Sequence, residues 1–212
     1  MTGVVVFGED TGRDGIAVVR AVVERTLRLI GAELAVMPPL DEAERAAGTL
    51  AAWRARTAAG HSARVRLLNV ISTYLDKGRV VAVMVDADAP WSTRAERSDN
   101  VRDLDELVLV HHRGRPVIGM VPYAAIEAWL FRGVHLVPKL AEQPAVAAKV
   151  TAWRADPGAL DEAVPPKAEL PFADRHNLAL AEVFPTRAVR DLGLSYAAFA
   201  EALASLVPTS RP

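Results

Sequence analysis

Arg79-Val-Val-Ala-Val-Met-Val85 constrains the fold more than any other segment of this chain. Successive side chains on a strand point to opposite faces, so a run that is apolar at every position from Val80 to Val85 needs a covering layer on both sides. A strand with one wet face would alternate polar with apolar residues. The run therefore predicts a central parallel strand sandwiched between helices. It stops abruptly at Asp86-Ala-Asp88-Ala-Pro90.

The remaining periodicities supply matching parts. Gly3-Val-Val-Val-Phe7 is a short buried strand cut off by Gly8-Glu9-Asp10. Asp14 is placed to cap a helix over Ile16–Ile30, on which Ile16, Val19, Val22, Val23, Leu27 and Ile30 share one face. Glu33–Met37 reads as a further strand ended by Pro38-Pro39. Asp41 and Glu44 have the cap-and-reach-back spacing that opens a helix, here Ala- and Arg-rich to about Ala59. After Gly60-His61-Ser62, a second amphipathic helix carries Val65, Leu68, Ile71 and Leu75 along one side and ends at Gly78. Downstream, Ser92–Arg102 reads as a polar loop or short helix. Leu107–His112 and Val117–Val121 flank Arg113-Gly-Arg-Pro116 as paired strands, and Ala124–Arg132 and Lys139–Arg154 read as helices. Asp156–Phe172 is proline-rich and reads as an ordered connection, followed by one or two short helices over Asn177–Leu206. Gly12-Arg-Asp-Gly15 lacks the lysine and spacing of a phosphate-binding loop and reads as a turn into the first helix.

Strand, helix, strand, helix, strand in that order predicts an α/β fold with a mostly parallel central sheet, helices on both faces and a helical C-terminal extension. The 212 residues fit an α/β domain over 1–155, with the connection and C-terminal helices of 156–212 packed on the same domain. Absence of cysteine excludes disulfides, thiolate metal sites and cysteine nucleophiles, and suits a cytoplasmic setting. The first residues lack the basic start and long apolar run of a signal peptide, and no uncharged apolar stretch approaches the roughly 20 residues that span a bilayer. No membrane association is expected.

In open parallel sheets ligands gather beyond the carboxyl ends of the strands. Glu9 follows the first strand, and Asp86 and Asp88 follow the central one, so all three belong at one edge if those strands are neighbours. Hard carboxylate oxygens at one point suit Mg²⁺ or Mn²⁺, and packed anions repel unless a cation or proton fills the cluster. The competing account is that each carboxylate merely caps a loop or helix. Net charge is −1, so the total does not mark a nucleic-acid binder, but Arg45, Arg54, Arg56, Arg64 and Arg66 gather with His61 in one stretch. That stretch is either a phosphate-binding face, with Arg54, Arg56, Arg64 and Arg66 as backbone contacts, or an ordinary solvated helical surface.

Val5-Val-Phe-Gly8-Glu9, Val83-Met-Val-Asp86-Ala-Asp88 and Pro122-Tyr-Ala-Ala-Ile-Glu127-Ala-Trp129-Leu-Phe131 together resemble a TOPRIM domain. They are most similar to a group of small bacterial TOPRIM-like proteins that carry a Gly-Glu, an Asp-x-Asp and a later Glu-Ala-Trp-Leu helix, and that are related to OLD-type nucleases. The resemblance covers roughly residues 3–135. It implies that Glu9 serves in acid–base chemistry or joins the metal site, and that Asp86 and Asp88 hold Mg²⁺ or Mn²⁺. The first motif of the family often reads Glu-Gly-x-Thr-Glu. Here it is Phe7-Gly8-Glu9-Asp10-Thr11, leaving Asp10 or Asp14 to stand in for the following glutamate. The tyrosine context of a topoisomerase and the zinc-binding cysteines of a primase are lacking.

A metal-dependent nuclease is the enzyme expected, with Glu9, Asp86 and Asp88 catalytic and metal-binding, Glu127 a fourth metal-site carboxylate or an arginine's partner, and DNA or RNA as substrate. The resemblance to OLD-type nucleases extends this to a role in phage defence. A nucleotide-sugar transferase or phosphotransferase using Asp-x-Asp is one alternative. A subunit inactive alone that acts with an ATPase partner is another. Trp129 reads as core packing rather than a base-stacking platform. Lys139 and Lys167 are either phosphate contacts or plain exposed lysines. His111 and His112, adjacent on an expected strand, would face opposite ways and not act together.

Overall fold

The computed structural model describes residues 3–8, 13–37, 58–86, 99–122, 126–144, 147–148, 151, 155, 173–192 and 195–207. Its centre is a three-stranded parallel sheet of β1 (Val4–Phe7), β2 (Val80–Met84) and β3 (Val117–Met120), in that spatial order. Val4 pairs with Val80 and Phe7 with Val83, while Val81 pairs with Val117 and Met84 with Met120. β2 is central and buried at all five positions, which is what its unbroken apolar run requires.

Helices cover both faces. On one, α1 (Arg13–Leu29) packs Val18, Val19, Val22, Val23 and Leu27 onto Val4, Val6, Val80, Ala82 and Met84. On the other, α2 (Ala58–Asp76) and α3 (Asp99–Asp105) bring Leu67, Ile71, Leu75 and Leu104 onto Val5, Phe7, Val81, Val83 and Val85. Between β3 and the C-terminal segment come α4 (Glu127–Leu130), which tightens into a 3-10 helix over Phe131–Leu136, and a single turn, α5 (Pro138–Ala141). Three C-terminal helices, α6 (Ala173–Val183), α7 (Thr186–Asp191) and α8 (Ser195–Leu206), join the α1 face: Leu180, Phe184, Val189, Tyr196, Phe199 and Leu203 are all buried in that core.

Turn chemistry ends the long helices. Gly31 and Gly78 sit at φ +68° and +70°, a left-handed conformation that glycine adopts without a Cβ penalty. At α2 the N–H of Gly78 reaches the Leu75 carbonyl and that of Arg79 the Tyr74 carbonyl. At α1 Gly31 reaches Arg28 and Ala32 reaches Leu27. Both patterns are the paired-bond helix stop in which two otherwise orphaned carbonyls are satisfied.

Several local expectations are corrected. Leu107–His112 is not a strand paired with β3. Glu106–His111 continues α3 as a π-helical run, and β3 pairs with β2 in parallel. A short apolar run fits strand or buried helix alike, and a parallel neighbour demands a crossover rather than a hairpin. The second strand reduces to a bridge, Val36 against Val4, held by Val4 N–H to Ala35 O (2.9 Å) and Met37 N–H to Val4 O (2.8 Å). α1 begins at Arg13, one residue before Asp14, so Asp14 is not its cap. Val65 is 43% exposed, and the buried stripe of α2 is Leu67, Ile71 and Leu75. The continuous helix expected over Lys139–Arg154 breaks after Ala141, where Pro144 cannot donate to the helical ladder. The C-terminal segment forms three helices rather than one or two, Pro185 separating α6 from α7. The helix expected to about Ala59 and the proline-rich connection fall outside the described residues, apart from Ala58 and Ala59 in α2.

Candidate functional site

The order of the strands fixes where chemistry can gather. From β1 the chain crosses over α1 to Val36 on β1's outer side, and from β2 it crosses by α3 to β3 on the opposite side. Crossovers running in opposite directions put their helices on opposite faces, as α1 and α3 are. The carboxyl ends of β1 and β2 therefore flank the point at which the direction of winding reverses, the place where open parallel sheets characteristically bind ligands. Gly8 leaves β1 and Asp86 leaves β2 at this edge. The last sheet bond on β2, from Val85 N–H to the Met120 carbonyl (3.1 Å), lies one residue before Asp86.

Asp86 is half-buried, and its Oδ1 accepts the backbone N–H of Ile126 at 2.9 Å. Ile126 is buried and immediately precedes α4, so this N–H has no partner within the helix. A carboxylate reaching in from another element supplies a charge-assisted bond and fixes its own orientation in return. The residue after Ile126 is Glu127, with 2% exposure. Its Oε1 accepts Asn177 Nδ2 from α6 at 3.0 Å, and Asn177 is itself buried. Burying a carboxylate is costly unless polar groups replace its water, and the Asn177 amide does this for Oε1. Among the described residues, Oε2 of Glu127 and Oδ1 of the same amide are buried without a hydrogen bond.

A second set of polar contacts holds α6 where Asn177 can reach. Arg25 on α1 donates from Nε to the Phe184 carbonyl (2.8 Å) and from Nη1 to the Glu182 carbonyl (2.7 Å), satisfying carbonyls at the end of α6 with a cation. Trp129 donates its indole N–H to Ser195 Oγ at 2.8 Å. Thr26 and Tyr196 share a buried bond at 2.9 Å. Trp129 packs edge-on to Tyr196 (5.2 Å) and stacked on Phe199 (6.0 Å), with Phe184 edge-on to Tyr196 (4.8 Å). Burial pushes the Tyr196 hydroxyl up to about 12, so it stays a neutral partner for Thr26. Trp129 is thus a core residue, and Asn177 is tied to the sheet edge through these contacts.

Of the expected site residues, Asp86 reaches the segment that carries Glu127: its carboxylate accepts the N–H of Ile126, the residue before Glu127. Glu9, Asp88, Arg54 and Arg56 lie outside the described residues, as does Lys167. Arg64 belongs to α2, Arg66 is exposed on it, and Lys139 is exposed on α5. Lys77-Gly78-Arg79 is the whole link between α2 and β2, so the helix runs antiparallel to the strand. His111 is exposed at the end of the helical run, and His112, which follows it, is buried. Among the described residues neither ring nitrogen of His112 has a hydrogen-bond partner, and burial first, then Arg115 and His111, lowers its basicity. Among the described residues no three histidine, aspartate or glutamate side chains form a group able to hold a metal ion.

Asn177 is a site residue that the sequence motifs do not mark. Its signal is its register: with Leu180 and Ala181 it falls on the buried stripe of α6, where a polar side chain needs a partner. No family model matches this chain, and neither a curated protein nor a solved structure matches it. No helix among the described residues is long and apolar enough to cross a membrane.

Proposed function

We propose that this chain is a divalent-metal-dependent phosphodiesterase acting on nucleic acid, built on a TOPRIM-like α/β fold. One observation carries the reading: Asp86 leaves the central strand at the reversal of winding, with its carboxylate held by the Ile126 N–H. A carboxylate that ligates a metal is characteristically held in this way by a further hydrogen bond. The donor set is hard. Asp86 and Glu127 offer carboxylate oxygens from two adjoining segments, and Asp88 and Glu9 lie two residues from Asp86 and one residue from Gly8 in the sequence. Such oxygens suit Mg²⁺ or Mn²⁺.

Bound there, the ion would polarise a phosphodiester oxygen and lower the pKa of a water. The chain's own residues divide the remaining work. Asp86 and Asp88 are the ligands. Glu9 accepts the proton from the attacking water or completes the metal shell, and the buried Glu127 fixes the inner wall of the site. Arg66, exposed on α2, is suited to a phosphate of the nucleic-acid backbone, together with Arg54, Arg56 and Arg64 from the same stretch of sequence.

The test is cleavage of single- and double-stranded DNA and RNA with Mg²⁺ or Mn²⁺, stopped by EDTA. Glu9→Gln and Asp88→Asn should each remove most activity without unfolding the protein, and their losses should not add. Replacing the four arginines should weaken binding and flatten its salt dependence, by roughly 0.9 in the logarithmic slope for each phosphate no longer neutralised. Pure protein that neither cleaves any of these substrates nor binds them in a salt-sensitive way would refute the proposal.

A further inference from the structure

Glu127 is tied to α6 by a buried hydrogen bond. Asn177 on α6 donates Nδ2 to Glu127 Oε1 at 3.0 Å, across 50 positions of sequence. Two features separate this contact from ordinary core packing. The amide is only half used: its Oδ1 is buried and has no hydrogen-bond partner among the described residues. The contact also sits on the residue adjoining Ile126, whose N–H holds Asp86. The amide turns its donor to the Glu127 carboxylate, which leaves its carbonyl to accept from a further donor.

We infer that Asn177 is a positioning residue for a divalent-cation site: it orients the Glu127 carboxylate and makes α6 part of the site. This rests on the metal-dependent reading of Asp86, Asp88, Glu9 and Glu127 above. The helices beyond the proline-rich connection then contribute to the site besides closing the core. Arg25, gripping the end of α6, sets the depth at which Asn177 meets Glu127. Outer-shell partners of ligating carboxylates typically change metal affinity about 10–100-fold when removed.

The experiment is titration of the full chain with Mn²⁺, following the free-ion EPR signal, so that no activity or substrate is needed. Asn177→Leu keeps the approximate volume and removes both polar atoms. It should raise the Mn²⁺ Kd by about 10–100-fold. Glu127→Gln should raise it comparably, and Asn177→Leu added to Glu127→Gln should change it by less than about twofold, because Asn177 acts through Glu127. The double variant also strands no buried carboxylate, so this comparison stands even if Asn177→Leu alone fails to fold. Mn²⁺ binding by Asn177→Leu at the wild-type Kd would overturn the inference and leave the metal site intact. So would unaltered binding by Glu127→Gln, or a double variant whose loss is the product of the two single losses. Absence of Mn²⁺ binding by the wild-type chain would instead overturn the metal-dependent reading, and the role of Asn177 with it.

Discussion

Asp86 has two roles that substitution can separate: acceptor for a backbone N–H, and proposed metal ligand. Asp86→Ala removes the 2.9 Å bond and strands the N–H of Ile126, a residue with 7% exposure. Hydrogen bonds to charged groups are worth about 1.5–3 kcal/mol, and a stranded buried donor costs a similar amount, so a net loss of roughly 2 kcal/mol is expected. For a chain of this length that lowers the Tm by roughly 4–8 °C. Asp86→Asn keeps an acceptor oxygen in place and exchanges a charge-assisted bond for a neutral one, about half as strong, so it should lose about 1 kcal/mol. Relief of repulsion within an acidic cluster acts in the opposite sense and shrinks that loss further. Metal separates the second role. An ion at about 100 times its Kd stabilises the wild type by roughly 2.7 kcal/mol, and neither variant should show that rise. Thermal unfolding by circular dichroism, with EDTA and then with Mn²⁺, reads both effects. Equal metal-free melting of the two variants would refute the capping argument. A wild-type metal response in both would refute Asp86 as a ligand.

Two further outcomes follow from packing and titration. Gly133→Ala would set a Cβ 2.9 Å from Pro185 Cδ, a rigid ring that cannot rotate aside, and should cost about 1–3 kcal/mol in urea unfolding; an unchanged midpoint would contradict the close approach of the 3-10 helix to the α6–α7 link. Burial holds His112 below its ordinary value of 6.5, so the unfolded chain binds more protons in acid. The stability it confers is full above pH 6.5 and is lost as pH falls through the lowered folded value. His112→Phe should therefore flatten the acid-side fall of the urea midpoint, and parallel curves for variant and wild type would refute this.

Local periodicity and turn chemistry are enough to find β1, α1, the helix ending at Gly78 and the central strand, because each declares itself within one window of sequence. The unbroken apolar run of β2 specifies cover on both faces, and the same run ending at Asp86 places a carboxylate at the sheet edge. Leu107–His112 misleads because a short apolar run fits strand and helix alike, and Val110 is exposed rather than buried. Only the parallel partner of β3 decides that the segment is helical. Val65 likewise falls on the wrong side of α2, since a ring of apolar residues has several possible stripes and only the sheet beneath selects Leu67, Ile71 and Leu75.

For the site, residue types and their distance from strand ends are legible in Asp86 and Glu127, but what each touches is not. The sequence by itself determined which segments must be buried and which residues can ionise or ligate. Tertiary structure decided that Asp86 meets the Ile126 N–H and that Glu127 meets Asn177. Side-chain periodicity extends over a few residues, whereas these bonds close loops of 40 and 50 residues whose ends meet only after the helices have docked on the sheet.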